Sequence, residues 1–382
     1  MSVYRGALSD RLSFEKIFYH GKHVEQVLNK GEAYPLHVEL GLVNFCNHDC
    51  TFCYARRSMS EAKKIHKARM DRKRLDEVIK EMAGLGLKSV TLVGSGEPTI
   101  HPETAEIIRD IHSHGVDIAL FTNGSGLRKS VNQAILDCCT FIRFSLTGAS
   151  RKVHDLVHAN NDYERIVENL RELSTMRGQK KFPTIGVQFV LASYSAEDVV
   201  KGAIQARDIG VDYYEIKPVY PSIDAADTEG IEFDDVQLPN DLSIKEAHKL
   251  MDEAKKLETE NFKVEAKYSQ LTKVYKYVDD RNYHDCPGSL TTTTLEADFN
   301  LYICDNQKIP KFCFGNLTNN TFQEVWNSER RKEVLRELNV HECPPRCRMD
   351  PLNVIYQDVR DGAREVPEDV GDPDPEIHPN FF

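Results

Sequence analysis

Apolar and polar positions alternate in short blocks along the first two-thirds of the chain. Leu36 to Leu42, Ser89 to Val93, Val116 to Phe121, Phe141 to Ser145, Ile185 to Leu191 and Tyr213 to Ile216 are short apolar or β-rich runs. Between them the apolar residues fall at helical spacing. Leu75, Val78, Ile79 and Met82 share one face, Ala105, Ile108 and Ile111 another, and Ile166, Val167 and Leu170 a third. Pro102 beside Glu103 suits a helix start, and Gly115 suits its stop after His114. Six strand–helix alternations predict the α/β class with parallel βα units, curled into a partial (β/α)6 barrel of the TIM type.

Period-two alternation then sorts the side chains. Arg143 and Ser145 share one face of the fourth strand, with Ile142, Phe144 and Leu146 on the helix-covered face. By the same count Gln188 faces the barrel from the fifth strand, and Glu215 and Lys217 from the sixth. Chemistry in such barrels gathers at the carboxyl ends of the strands. By position, Lys217, Glu215 and Tyr214 are the candidate proton acceptors there. Glu215 and Lys217 read equally well as a buried ion pair that only holds the barrel together. His154 and His158, at i, i+4 spacing with no third ligand nearby, read as surface or loop histidines.

Composition narrows the class. The 382 residues carry 49 Lys+Arg against 60 Asp+Glu, a net charge of −11, and 40% of them are hydrophobic. That is enough to fill a sizeable core. No apolar run approaches bilayer length, and Met1-Ser-Val-Tyr-Arg-Gly6 has no signal-peptide core. A cytoplasmic enzyme is expected, without a membrane partner. The acidic balance argues against nucleic acid.

The ten cysteines are clustered. Cys138 and Cys139 end an apolar helical stretch and read as small core residues. Cys46, Cys50 and Cys53 form C-x3-C-x2-C, within Asn44-Phe-Cys-Asn-His-Asp-Cys-Thr-Phe-Cys-Tyr54. Structural zinc would want paired knuckles and a fourth ligand, which only His48 or His37 offers locally. Three thiolates without a fourth suit an iron–sulfur cube with one open iron. Cys286, Cys304, Cys313, Cys343 and Cys347 make the second group. A hairpin about Asn300 would join Cys286 to Cys304, and four thiolates there would hold a cluster or zinc, which spacing alone does not decide.

The first motif resembles that of the radical S-adenosylmethionine enzymes. The resemblance implies a four-iron four-sulfur cluster on Cys46, Cys50 and Cys53, with S-adenosylmethionine chelated at the open iron and cleaved to a 5′-deoxyadenosyl radical. Gly94-Ser95-Gly96-Glu97 is similar to the family segment that binds the methionine ammonium, with Ser95 in place of its first glycine. Asn123 and Ser145 match segments that line the cofactor, and Leu191 and Phe52 would pack on adenine. With Gln188 they complete the expected cofactor site. The order Cys304, Cys313-Phe-Gly-Asn-Leu317, Trp326, Cys343-x3-Cys347 resembles the SPASM and shorter twitch extensions. That implies one auxiliary four-iron four-sulfur cluster on Cys286, Cys304, Cys343 and Cys347, with Cys313 as alternative ligand.

The expected layout is an N-terminal extension (1–34), the barrel (35–222), a linker and helix (223–275), the auxiliary domain (276–355) and an acidic tail (356–382). Residues 219–241 read as a linker or lid. The tail would be unstructured unless Phe381 and Phe382 dock it back. The resemblance implies a radical S-adenosylmethionine oxidoreductase, fed by an electron donor such as flavodoxin or ferredoxin. Only 34 residues precede the first strand, too few for the leader-binding domain many peptide maturases carry. A small polar substrate (sugar, cyclitol or nucleoside-like) and a net oxidation are therefore expected, with a SPASM-type ribosomal-peptide maturase as the alternative. A cofactor-binding scaffold without radical chemistry would have no need of the intact cysteine triad.

Overall fold

The six expected runs become six neighbouring parallel strands in the computed structural model, which describes residues 13–30, 32–53, 67–219, 241–276, 281–343, 347–367 and 370–382. They are β1 (His37–Gly41), β2 (Ser89–Val93), β3 (Asp117–Thr122), β4 (Phe141–Ser145), β5 (Thr184–Leu191) and β6 (Tyr213–Pro218), paired in sequence order. Leu36 and Leu42 are buried but lie outside β1. The Leu42 carbonyl instead accepts from Met70 N at 3.0 Å, so the chain leaves the ladder there.

The sheet continues beyond six strands at both edges. β7 (Lys263–Ala266) adds parallel to β6, and β8 (Thr292–Leu295) adds parallel to β1. β9 (Asn300–Tyr302) and β10 (Cys313–Asn316) follow antiparallel, giving one sheet of ten strands among the described residues. Part of the stretch expected as linker and helix thus extends the barrel wall. The cysteine-rich region is hydrogen-bonded directly to the first barrel strand. Neither parallel strand added to the six announces itself by pattern: β7 has four residues, and β8 is Thr-Thr-Thr-Leu with no apolar alternation. Residues 220–240, the expected lid, lie outside the described residues.

Helices cover one face of the sheet with the expected residues. The Arg72–Gly84 helix buries Leu75, Val78, Ile79 and Met82, and Asp71 caps it by accepting from Arg74 N at 2.8 Å. The Thr104–Ser113 helix buries Ala105, Ile108 and Ile111, and the Tyr163–Arg177 helix buries Ile166, Val167 and Leu170. Ile142 and Phe144 are fully buried beneath them, while Arg143 and Ser145 are half-buried on the other face. Side chains of that size contribute about 1.5–3 kcal/mol each when fully buried. Cys139 is in this core and Cys138 packs against it.

The tail docks. The His378 ring stacks on Phe141 with centroids 5.0 Å apart, and Phe381 meets Phe141 and His37 edge-on. The Asn380 side chain donates to Asp117 at 2.7 Å, and its carbonyl accepts from the Ser89 hydroxyl. His37, Ser89, Asp117 and Phe141 open β1, β2, β3 and β4. The tail therefore plugs the amino end of the barrel and leaves the carboxyl end as its mouth.

Candidate active site and cysteine centres

Cys46, Cys50 and Cys53 sit on the loop that leaves β1 at the mouth. Thr51 N donates to the Val157 carbonyl at 2.9 Å and Asp49 N to that of His158, pinning the loop to the end of the Arg151–His158 helix. Gly96 lets the next loop close on it, since a Cβ there would lie 2.3 Å from the Phe45 carbonyl oxygen. Burial, and then the Glu97 carboxylate, push the Cys46 thiol up to about 12. Burial, and then Cys53 and Cys46, raise Cys50 well above its ordinary value. Thiols held up by burial and by one another in this way resist ionising, and a bound cationic cluster would offset that penalty. The donor set fits the group.

Glu97 is 4% exposed. Its Oε1 accepts from Thr99 N (3.0 Å), the Thr99 hydroxyl (2.6 Å) and the Thr122 hydroxyl (2.6 Å), and its Oε2 accepts from Asn123 N (2.7 Å). Oε1 is saturated, so any ammonium has only Oε2 to use. Asn123 turns to the cysteine loop, its side-chain amide donating to Asn47 Oδ1 at 3.0 Å. Ser95 is buried beside Gly96, and Ser145 stands half-buried on the barrel face.

Leu191 is a correction. It is fully buried in the helix-side core, because alternation from Gln188 puts Val190, not Leu191, on the barrel face. Val190, Ala192 and Val219 form a separate small cluster with Phe52 and Tyr194 packed against it, and this is the apolar surface at the mouth.

Tyr214 is a second correction. Its hydroxyl donates to the Val199 carbonyl at 3.1 Å and abuts Gly202 on the helix side, so it does not reach the mouth. Glu215 does face the barrel. Its Oε2 accepts from Arg143 Nη1 at 2.8 Å and Gln188 Nε2 at 2.7 Å, and Lys267 Nζ lies 4.0 Å from Oε1. Burial alone would raise its pKa, but Arg143, then Lys267 and Lys217, bring it down to about 2. Arg143 also stacks on Phe121, 3.7 Å from the ring centroid. Glu215 is thus a fixed carboxylate whose pair partner is Arg143. Lys217 stands half-buried on the same face.

In the second group, Cys286, Cys304, Cys343 and Cys347 are electrostatic neighbours. Burial, and then Cys347, Cys286 and Cys343, raise Cys304 well above its ordinary value, while burial is the main cause that pushes Cys286 up to about 11. Asn353 Nδ2 donates to Cys286 Sγ at 3.4 Å. Cys313 stands apart. Its Sγ donates to the Gly315 carbonyl, and its charged neighbours are Asp298 and Arg330 rather than the other thiols. Residues 344–346 lie outside the described residues.

Two features escaped the sequence reading. His154 and His158 are fully buried, not on the surface, because the cysteine loop folds over their helix. His48 Nε2 and His154 Nε2 share the Asp162 carboxylate at 3.0 and 3.1 Å, and His158 Nδ1 lies 3.2 Å from Cys50 Sγ. Their spacing was the only available signal. Glu296, after β8, puts its carboxylate between Gly41 and Gly94 at the strand ends, and Lys308 bridges it (3.1 Å) to Asp305 (2.7 Å). Nothing in the sequence pattern singled it out.

Residues 41–185 match the family model of the radical SAM superfamily, and residues 286–349 match SPASM, an iron–sulfur cluster-binding domain. The chain carries a radical SAM domain followed by a SPASM domain. Its cofactors are accordingly S-adenosylmethionine and four-iron four-sulfur clusters. An S-adenosylmethionine-dependent nucleotide dehydratase of Flammeovirga pacifica is 32% identical over 111 residues, 28% of this chain and 38% of that protein. A probable GTP 3′,8-cyclase of Metallosphaera sedula is 28% identical over 184 residues, 47% of this chain and 54% of that one. The match thus spans about half or less of these relatives' length. Among solved structures, Streptococcus suis SuiB bound to S-adenosylmethionine shares the fold (TM-score 0.63, 13% identity) over 84% of this chain and 72% of that one. The same protein bound to its precursor peptide SuiA superposes with a TM-score of 0.62. No described helix of this radical SAM enzyme is long and apolar enough to cross a membrane.

Proposed function

We propose that this radical SAM enzyme matures a peptide, which it binds at the carboxyl-terminal mouth of its barrel. The observation that supports this most is the continuous sheet running from the barrel through β8 into the auxiliary region. The likeness to SuiB extends over both parts, and SuiB is also solved with a precursor peptide. The small polar substrate takes second place. Its specific support is the 32% identity to a nucleotide dehydratase, which runs over only 28% of this chain.

When bound, S-adenosylmethionine and the clusters supply hydrogen-atom abstraction and an outlet for electrons, which suits a net oxidation fed by a flavodoxin or ferredoxin. The chain's own residues bind and orient. Val190 and Phe52 offer an apolar surface for the cofactor's base, and Glu97 Oε2 an acceptor for its ammonium. Glu215, Arg143 and Gln188 form a charged, dry floor that holds a polar substrate group and excludes water. Lys217 Nζ is the candidate at the mouth to hold or accept a proton; Glu215, with its pKa held down at about 2, is a poor acceptor.

Anaerobic incubation of the reconstituted holoenzyme with cofactor, reductant and either the peptide or the nucleotide fraction of the source cell tests the reading. 5′-Deoxyadenosine together with a mass change in a peptide supports it. Turnover with the nucleotide fraction alone replaces it with the second reading.

A further inference from the structure

We propose that His158 donates a hydrogen bond from Nδ1 to the Cys50 sulfur and thereby makes the radical-site cluster easier to reduce. The tautomer follows from the backbone. Thr147 N–H, which can only donate, meets His158 Nε2 at 3.0 Å. A ring nitrogen that receives a hydrogen bond presents a lone pair, so the neutral ring carries its proton on Nδ1. That nitrogen lies 3.2 Å from Cys50 Sγ, and a thiolate is an acceptor.

The geometry is held from every side. The ring stacks on His154 with centroids 4.6 Å apart, and His48 and Phe52 meet it edge-on at 5.5 Å. The bonds from Asp49 N and Thr51 N tie the cysteine loop to the same helix end, so donor and acceptor move together. Thr147 is itself fixed, its hydroxyl accepting from Val190 N at 3.0 Å. The same tautomer disposes of another reading. The ligand atoms of His48, Cys50 and His158 lie within 4.8 Å of one another, close enough for a metal ion. A protonated Nδ1 has no lone pair to give it.

Reduction adds negative charge to a cluster and its thiolates. An N–H aimed at one thiolate in a dry site stabilises the reduced state more than the oxidised one, and so raises the potential. His158 is then a positioning and tuning residue that touches a cluster ligand, not the substrate.

The test compares the reconstituted wild type with His158→Leu and His158→Gln. Iron content is measured, together with an electron-paramagnetic-resonance redox titration of the cluster whose spectrum responds to S-adenosylmethionine. His158→Leu should disfavour the reduced state about tenfold, a shift of about 59 mV to more negative potential for a one-electron couple. His158→Gln, whose amide can both accept from Thr147 and donate to Cys50, should recover much of that shift. A leucine variant with full iron and wild-type potential overturns the proposal. Should that variant fail to hold iron, the wild type labelled with 15N-histidine decides. A weak 15N coupling with an exchangeable proton at the reduced cluster supports the bond. No exchangeable proton, or the large coupling of a ligated ring nitrogen, overturns it.

Discussion

Arg143 Nη1 and Glu215 Oε2 meet at 2.8 Å across the barrel interior, one from β4 and the other from β6. The contact joins residues 72 apart in sequence, and both partners are mostly shielded from solvent. Removing one partner of such a pair leaves an uncompensated charge. Glu215→Ala should destabilise the fold by about 3–5 kcal/mol in chemical denaturation. Arg143→Ala in the same chain should recover part of that loss, and a strictly additive double variant would show that the pair does not couple.

The same carboxylate gives a pH dependence with a definite sign. Its pKa falls from an ordinary 4.5 to about 2 on folding, so it binds its proton less readily in the folded state. Its contribution is present above the unfolded value and is lost as pH falls from 4.5 through 2. Between those limits the wild type should lose about 3 kcal/mol more than Glu215→Gln. Parallel acid-denaturation profiles of the two proteins would contradict the charge pairing.

Glu97 accepts four hydrogen bonds that tie the end of β2 to the end of β3. Glu97→Ala leaves two backbone N–H groups and two hydroxyls without their acceptor. It should weaken S-adenosylmethionine binding by about 1.5–3 kcal/mol, as for a hydrogen bond to a charged group. Equilibrium dialysis with the iron content checked in parallel reads the effect, and unchanged affinity in an iron-loaded variant removes Glu97 from the cofactor site.

What the sequence made legible follows from how local each signal was. β1 to β6 showed because each is a short apolar or β-rich run flanked by helix-spaced residues. β7, a four-residue edge strand, did not. The hairpin about Asn300 was legible, but not the pairing of its first strand, Thr292–Leu295, with β1 some 250 residues earlier. Leu191 and Tyr214 were misplaced although alternation from Gln188 and Glu215 already put them on the helix face; family resemblance and position along the strand outweighed the period. The burial of His154 and His158 was not readable at all, since what covers them is the cysteine loop some hundred residues away. In the second cysteine group, spacing offered five sulfurs; the family resemblance singled out four with Cys313 as alternative, and in the fold the charged neighbours of Cys313 are Asp298 and Arg330 rather than the other thiols.

The docked tail allows a prediction that separates stability from chemistry. Phe381 is 6% exposed and packs on Phe141 and His37 at the amino end of the barrel, opposite the mouth. Phe381→Ala should cost about 3–5 kcal/mol of stability, the range for removing a buried aromatic ring. It should leave S-adenosylmethionine affinity within twofold of wild type, because the cofactor residues lie at the other end of the strands.

The two cysteine centres predict metal contents that distinguish the ligand sets. Two four-iron clusters require about eight irons per chain in anaerobically reconstituted protein. Replacing Cys46, Cys50 and Cys53 together with alanine should leave about four, all in the auxiliary site. Cys304→Ala should also lower the count, because its sulfur lies among Cys286, Cys343 and Cys347. Cys313→Ala should leave all eight in place, since that sulfur donates to the Gly315 carbonyl and stands apart from the other four. Loss of iron from Cys313→Ala would bring Cys313 into the ligand set. Zinc instead of iron in the triple variant would make the auxiliary site structural, and with it would go the outlet for electrons on which a net oxidation depends.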